Sequence, residues 1–162
     1  LQVSDTIKVY LRNSGSPYAI ADSANAVLSD SGKAALTFRN AASGNYYIQL
    51  ANRNILETWS ANAVAMTQGN TVSYNFTNAS SQAYGNNMKQ IDASPVRFGI
   101  YSGDINKDGA VDLADIVFTF NDASAFTSGY VITDLNGDGL VDLVDLTITY
   151  NNATAFVNKI VP

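Results

Sequence analysis

One twelve-residue pattern occurs twice in this chain and restricts how everything around it can fold. The first copy runs Asp104-Ile105-Asn106-Lys107-Asp108-Gly109-Ala110-Val111-Asp112-Leu113-Ala114-Asp115. The second runs Asp134-Leu135-Asn136-Gly137-Asp138-Gly139-Leu140-Val141-Asp142-Leu143-Val144-Asp145. Oxygen side chains stand at positions 1, 3, 5, 9 and 12 of each copy, glycine stands at 6, and position 7 offers only its backbone carbonyl. A calcium ion takes about six to eight hard oxygen ligands, and this spacing curls them around one point. A lone Asp-x-Asn-x-Asp-Gly is also an ordinary solvated turn, because these are the common turn residues. Two complete copies offset by 30 residues favour the ion. The sequence therefore predicts two calcium ions. Asp104, Asn106, Asp108, Asp112, Asp115 and the Ala110 carbonyl hold the first; Asp134, Asn136, Asp138, Asp142, Asp145 and the Leu140 carbonyl hold the second.

Position 12 is aspartate, one methylene shorter than glutamate, so closing the sphere requires the following segment to sit close to the ion. The duplication continues past the loops: Asp115-Ile-Val-Phe-Thr-Phe-Asn-Asp-Ala-Ser-Ala-Phe126 matches Asp145-Leu-Thr-Ile-Thr-Tyr-Asn-Asn-Ala-Thr-Ala-Phe156 nearly position for position. A duplicated loop with aspartate at position 12, each copy leading into a helix and none preceding the first, resembles the dockerin module. Dockerins anchor secreted bacterial proteins to cohesin partners, and the resemblance spans residues 102–157. It implies a small α-helical module with two EF-hand-type calcium loops, a cohesin-like partner, and a partner surface at loop positions 10 and 11. Those positions are Leu113-Ala114 and Leu143-Val144, where cellulosomal dockerins often carry Ser-Thr.

Ahead of the loops the pattern is that of an all-β domain. Thr6–Arg12 alternates apolar Ile7, Val9 and Leu11 with polar neighbours, the period of a half-buried strand. Residues 33–39, 45–51, 71–77 and 95–101 repeat that signal, and 18–21, 26–28 and 56–59 bring the expected number of strands to seven or eight. Short strands parted by Gly, Asn and Ser turns favour a sandwich. The order of strands and turns resembles the transthyretin-like or carboxypeptidase-regulatory sandwiches of secreted bacterial proteins. The expected fold is α+β by domain: an N-terminal β-sandwich over 1–101, then a dockerin-like helical module over 102–162.

After the first loop, Leu113, Ile116, Val117 and Phe120 fall on one helical face, and Leu143, Leu146 and Tyr150 repeat it. Val117, Thr119, Thr147, Ile148 and Thr149 are β-branched and poor helix formers, so calcium and packing are expected to hold these helices. Phe126 and Phe156 are expected to fold back and close a two-repeat core.

Charge is divided unevenly. Residues 102–162 carry nine acids and two bases, residues 1–101 seven bases and five acids, for a net charge of −5. Eight of the fourteen acids are loop ligands, so the acidity belongs to the metal sites. With no basic stripe to neutralise phosphates, nucleic acid is not an expected partner. Without histidine or cysteine, the usual general base and several nucleophiles and metal ligands are missing, so an enzyme is not expected. No run of eighteen apolar residues suggests membrane insertion. Since Leu1 is not Met, the chain is read as a mature or excised fragment, so the missing leader does not count against the expected extracellular or cell-surface place. Carbohydrate binding is the minor reading of Trp59 and the tyrosines, since adjacent Tyr46 and Tyr47 must point to opposite faces of a strand. Asn75, Asn78 and Asn152 match the glycosylation acceptor pattern, a motif too common to weigh much. Two functions remain open: a calcium-stabilised docking module for another protein, or a self-assembling subunit of an extracellular filament or surface layer.

Overall fold

A computed structural model describes residues 5–162. Its centre is β1 (Thr6–Asn13), flanked by β2 (Ile20–Val27) and β3 (Gly44–Ala51), both antiparallel to it. β4 (Thr58–Trp59) and β5 (Val64–Met66) pair with opposite ends of β3, giving a five-stranded sheet. A separate hairpin joins β6 (Lys89–Ala93) to β7 (Val96–Gly99).

The alternation read from β1 sets its faces. Ile7, Val9 and Leu11 are buried on one side, and the cross-strand partner of Val9 is Leu50. Ile7, Val9 and Leu50 form a core covered by Leu28, Leu36, Phe38, Ile48, Ile55, Phe76 and Ile100. Leu36 and Phe38, and likewise Tyr74 and Phe76, turn inward at alternate positions, as expected for residues 33–39 and 71–77. Neither segment forms a strand: their side chains keep the period of two while their backbones join no ladder. Tyr46 is buried on the core face, whereas Tyr47 faces the other way and meets Tyr18, Trp59 and Tyr84 edge-on at 5.9–6.2 Å. Trp59 is itself buried and donates its indole N–H to Glu57 at 2.6 Å, so this cluster is packing and offers no flat sugar platform.

Two helices of twelve residues follow, α1 (Leu113–Ser124) and α2 (Leu143–Thr154). Each starts on a capping box. Asp112 accepts from the Ala114 N–H at 2.8 Å while Asp115 reaches back to the Asp112 N–H at 2.9 Å; Asp142 and Asp145 do the same at 2.7 and 3.0 Å. These caps satisfy the first orphan N–H groups and offset the poor helical propensity of the β-branched residues that follow.

The two repeats clasp each other crosswise. Val111 N–H donates to Val157 and Val141 N–H to Thr127, both at 2.8 Å; Lys159 N–H donates to Gly109 and Gly129 N–H to Gly139, also at 2.8 Å. Each loop is thus paired with the chain leaving the other repeat's helix, and exchanging the repeats maps one set of bonds onto the other. The resulting bridges are Ala110–Asn158 and Ser128–Leu140.

Three expectations need correction. Among the described residues the protein is mostly β with only two short α-helices, and no separate dockerin-like helical module stands apart from the sheet. Val111 and Val157 share their buried cluster with Leu56, from the β part, and Leu56 N–H donates to the Tyr101 carbonyl while Gly103 N–H donates to Asn54, both at 2.8 Å. Twelve-residue helices with polar inner faces enclose too little apolar surface for a core of their own, so the β part supplies it. Nor is either loop an EF-hand, because no helix leads into it: the chain enters the first from the bridge at Ser102 and the second from a turn near Thr133. Finally, Phe126 and Phe156 do not fold back to close a two-repeat core. Leu113, Val117 and Phe120 are exposed, as are Leu143 and Tyr150, and Phe126 and Phe156 are 77% and 84% exposed rather than folded into a core. The inward positions are taken by Asp115 and Thr119, and by Asp145, Thr149 and Asn152.

Candidate metal centre and docking face

Each loop is shaped by its own side chains before any ion is considered. Asn106 accepts from the Asp108 N–H at 3.0 Å and donates its amide to the Asp108 carboxylate at 2.7 Å; Asp108 accepts from the Ala110 N–H at 2.9 Å. Asn136, Asp138 and Leu140 repeat these bonds at 2.8, 2.9 and 2.9 Å. Gly109 and Gly139 hold φ of +93° and +86°, the left-handed turn that position 6 requires.

The closing aspartates are fully buried. Asp115 accepts from the N–H groups of Ile105 at 2.7 Å and Asn106 at 3.2 Å; Asp145 accepts from Leu135 at 2.7 Å and Asn136 at 3.0 Å. Together with the capping bonds, each draws the first turn of its helix against the start of its loop, the close approach that a short position-12 side chain demands. At the crosswise bridges the ladder bonds are made by the residues on either side, which leaves the carbonyls of Ala110 and Leu140 outside the ladder.

Among the described residues, no group of three or more His, Cys, Asp or Glu side chains already gathers as a metal cluster. The carboxylates of the loops are instead engaged with loop N–H groups. One oxygen is left out: Asp104 Oδ1 is buried and has no hydrogen-bond partner. Burial pushes the Asp104 carboxyl above its ordinary value, opposed by the Lys107 charge and the Gly109 N–H, while Asp115 and Asp108 add to the rise. A buried carboxylate oxygen without a hydrogen-bond partner, with the Asp108 and Asp115 charges nearby, is an environment a cation relieves. The donor set is all oxygen, so the residues fit calcium in kind.

The segment Arg53–Leu56 lies between the two loops and holds both. The Asn54 amide donates to the Asp134 carbonyl at 2.9 Å, and the Lys107 ammonium donates to the Ile55 carbonyl at 2.9 Å. Arg53 donates to the Val131 carbonyl, lies over the Tyr130 ring at 4.4 Å, and stands 3.3 Å from Asp5 and 4.0 Å from Asp134. Nothing in the loop pattern pointed to this segment. The one available sign was a run of polar residues, Asn52-Arg53-Asn54, between apolar stretches. A cleft of about 90 Å³ beside the first loop is lined by Asn52, Ile55, Glu57, Asp104, Lys107 and Lys159, a mixture of charges too small to enclose a substrate of ordinary size.

The four residues expected to meet a partner are all on the surface. Leu113 and Leu143 are 72% and 73% exposed, and Ala114 and Val144 are exposed beside them. At 100° per residue, Leu113, Val117 and Phe120 lie roughly opposite buried Asp115, so one side of α1 closes the loop and the other presents carbon to solvent. Of the glycosylation-type asparagines, Asn152 is buried and donates to the Ser102 carbonyl at 2.8 Å, which leaves it no room for a glycan.

No protein-family model matches this chain, and no curated protein matches it. Solved structures do. A chain of an N-terminal interface mutant of the type II cohesin–X–dockerin complex from Acetivibrio cellulolyticus matches with a TM-score of 0.52 and 22% identity, covering 97% of this chain and 83% of that one. A chain of a C-terminal interface mutant of the same complex matches with a TM-score of 0.52 and 19% identity over the same shares. The match runs through sheet and helices alike, and at this identity what the chain shares with these components of cohesin–X–dockerin complexes is their fold.

Proposed function

We propose that this protein is a non-enzymatic, extracellular docking module: it binds another protein through the outward faces of α1 and α2, and calcium in its two Asp-rich loops holds those faces in place. The observation that carries the reading is the inversion of the helices, with carboxylates and hydroxyls inside and Leu113, Val117, Phe120, Leu143 and Tyr150 outside. An isolated exposed leucine needs no explanation, but a row of large apolar side chains on both helices marks an interaction surface. The solved structures of similar fold come from assemblies of cohesin with dockerin, which supports a protein of the cohesin kind as the partner. Calcium is supported by the ligand spacing and by the orphaned oxygen of Asp104.

The test is calorimetric titration of the whole chain, in calcium, with a type II cohesin. Binding that Leu143→Asp abolishes while calcium affinity stays unchanged supports the reading, because position 10 of the loop is not a ligand. Binding unaffected by Leu143→Asp and by Leu113→Asp removes this surface. Self-assembly is the other reading, favoured by Ile20 and Val27 exposed along edge strand β2. Light scattering with and without calcium separates the two: a docking module stays monomeric alone, and a filament or surface-layer subunit does not.

A further inference from the structure

The two loops are near copies in sequence but not in what surrounds them. In the second loop the first ligand is already satisfied. Asp134 Oδ1 accepts from the Gly137 N–H at 2.9 Å and Oδ2 from the Gly139 N–H at 3.2 Å, with the Arg53 guanidinium 4.0 Å away. Arg53 is not free to leave. It is largely buried, bonded to the Val131 carbonyl, stacked on Tyr130 and paired with Asp5, and Tyr130 in turn donates to Asp5. In the first loop the equivalent carboxylate keeps a buried oxygen with no partner. The cation there is Lys107, at position 4 of the loop itself, exposed on a flexible stem and tied at its tip to the Ile55 carbonyl. Position 4 of the second loop is Gly137, so the positive charge near Asp134 comes instead from the sheet side of the molecule.

We infer that the loops are unequal calcium sites, the first tight and the second weak, and that Arg53 sets the difference; this rests on the calcium reading above. An ion entering the first loop gives the unpartnered Asp104 oxygen a partner, and Lys107 can swing toward solvent as it does so. An ion entering the second loop disrupts bonds the carboxylate already has and faces a guanidinium held in place by three partners. Two cations a few ångströms apart at a partly buried position repel far more strongly than in water. Asp5 bears on this from a distance: by pairing with Arg53 it offsets part of the charge that the second loop feels. The chain thereby links occupancy of one metal loop to the sheet, through a residue outside either ligand set.

The experiment is titration of the full chain with calcium alone, by calorimetry, with terbium luminescence as a second readout. Two classes of site differing by about tenfold or more in Kd are expected. Asp104→Asn should remove the tight class and Asp134→Asn the weak one. Arg53→Gln should tighten the weak class severalfold without moving the tight one, and Asp5→Asn, which leaves Arg53 in place, should weaken it further. Two equal sites, a tight class lost in Asp134→Asn, or a weak class indifferent to both Arg53→Gln and Asp5→Asn would each overturn the inference while leaving calcium binding intact. No binding of either ion would overturn the calcium reading and this inference together. Should Arg53→Gln fail to fold, the wild-type titration and the Asp5, Asp104 and Asp134 variants decide the matter.

Discussion

The hydroxyls of Thr119 and Thr149 lie 3.1 Å apart, both fully buried, at equivalent positions of the two repeats. Each also reaches the carbonyl one turn back, Asp115 at 3.0 Å and Asp145 at 3.1 Å. Three contacts share two hydrogens, so one hydroxyl bonds the other and only one of the two carbonyls receives a proton at a time. A small polar pair lets the helices approach closely where a larger side chain would force them apart. Thr119→Val and Thr149→Val, close to isosteric, should each cost about 1–2 kcal/mol by removing the bond between the hydroxyls and leaving the remaining hydroxyl oxygen buried without a donor. The double variant should cost less than the sum of the two, because no hydroxyl is then left behind. Denaturant unfolding of the three variants checks this, and simple additivity would mean that the contact carries no coupling.

Burial separates two leucines that look alike in the sequence. Leu56 is fully buried between Val111 and Val157, while Leu143 stands on the helix surface. Leu56→Ala should destabilise by about 2–5 kcal/mol through lost contacts and a cavity. Leu143→Ala should change stability by no more than about 0.5 kcal/mol. Because Leu56 is the β part's contribution to the helical cluster, its truncation is also expected to lower calcium affinity, and Leu143→Ala is not. Thermal unfolding and calcium titration of the same two variants compare both effects.

How far these features were legible depends on the range of the interactions that make them. The core strands β1 and β3 could be read because alternation is a local pattern, and the two α-helices because apolar residues recur at helical spacing directly after each copy of the loop. Residues 33–39 and 71–77 have the alternation without the ladder, since a backbone partner is a non-local matter that periodicity does not report. The hairpin strand Lys89–Ala93 was missed for the converse reason: all five residues are exposed, so neither face carries an apolar signal. Helical periodicity identified the apolar stripe but left open which way it faces. Asp115 and Asp145 must face inward to accept from the loop N–H groups, and that requirement turns Leu113, Val117 and Phe120 outward. Arg53 and Asn54 were invisible because their partners, Val131 and Asp134, are about eighty residues away in sequence.

Asp22 gives the sheet a pH dependence that owes nothing to metal. Its carboxylate accepts from the Asn40 N–H at 2.7 Å, the Ser23 N–H at 2.8 Å, the Ala41 N–H at 3.2 Å and the Asn40 amide at 3.3 Å, tying β2 to the segment before β3. These bonds, that from the Asn40 N–H foremost, hold its carboxyl below the ordinary carboxylate range against the opposing effect of burial. A group with a depressed folded-state value contributes stability that is present above its unfolded value and is lost as the pH falls through the folded one. Unfolding followed in chelator from pH 7 downward should therefore show stability falling below about pH 4, with a shallower fall in Asp22→Asn. Identical slopes in the two proteins would show that Asp22 is not the source of the acid sensitivity.

Calcium removal is expected to act on both halves of the molecule, though unequally. Capping bonds and crosswise ladder bonds shape the loops without an ion, so chelation should loosen α1 and α2 rather than erase them. An ion that binds only the folded state adds stability as the logarithm of its free concentration over Kd, about 2.7 kcal/mol per site at a hundredfold excess. The unfolding midpoint should rise with free calcium, return on chelation, and rise less in Asp115→Asn, which weakens the closing ligand of one loop. Leu56, Asn54 and Ile55 pass part of this to the sheet, because they pack against or bond to both loops. Helical circular dichroism and Trp59 fluorescence should then shift together on calcium addition, the tryptophan to a smaller extent. A helical signal that responds while the tryptophan stays fixed would show the joint at Arg53–Leu56 to be passive. A midpoint indifferent to both calcium and chelator would leave the duplicated loops as self-satisfied turns, held by the asparagine and aspartate bonds that already close them.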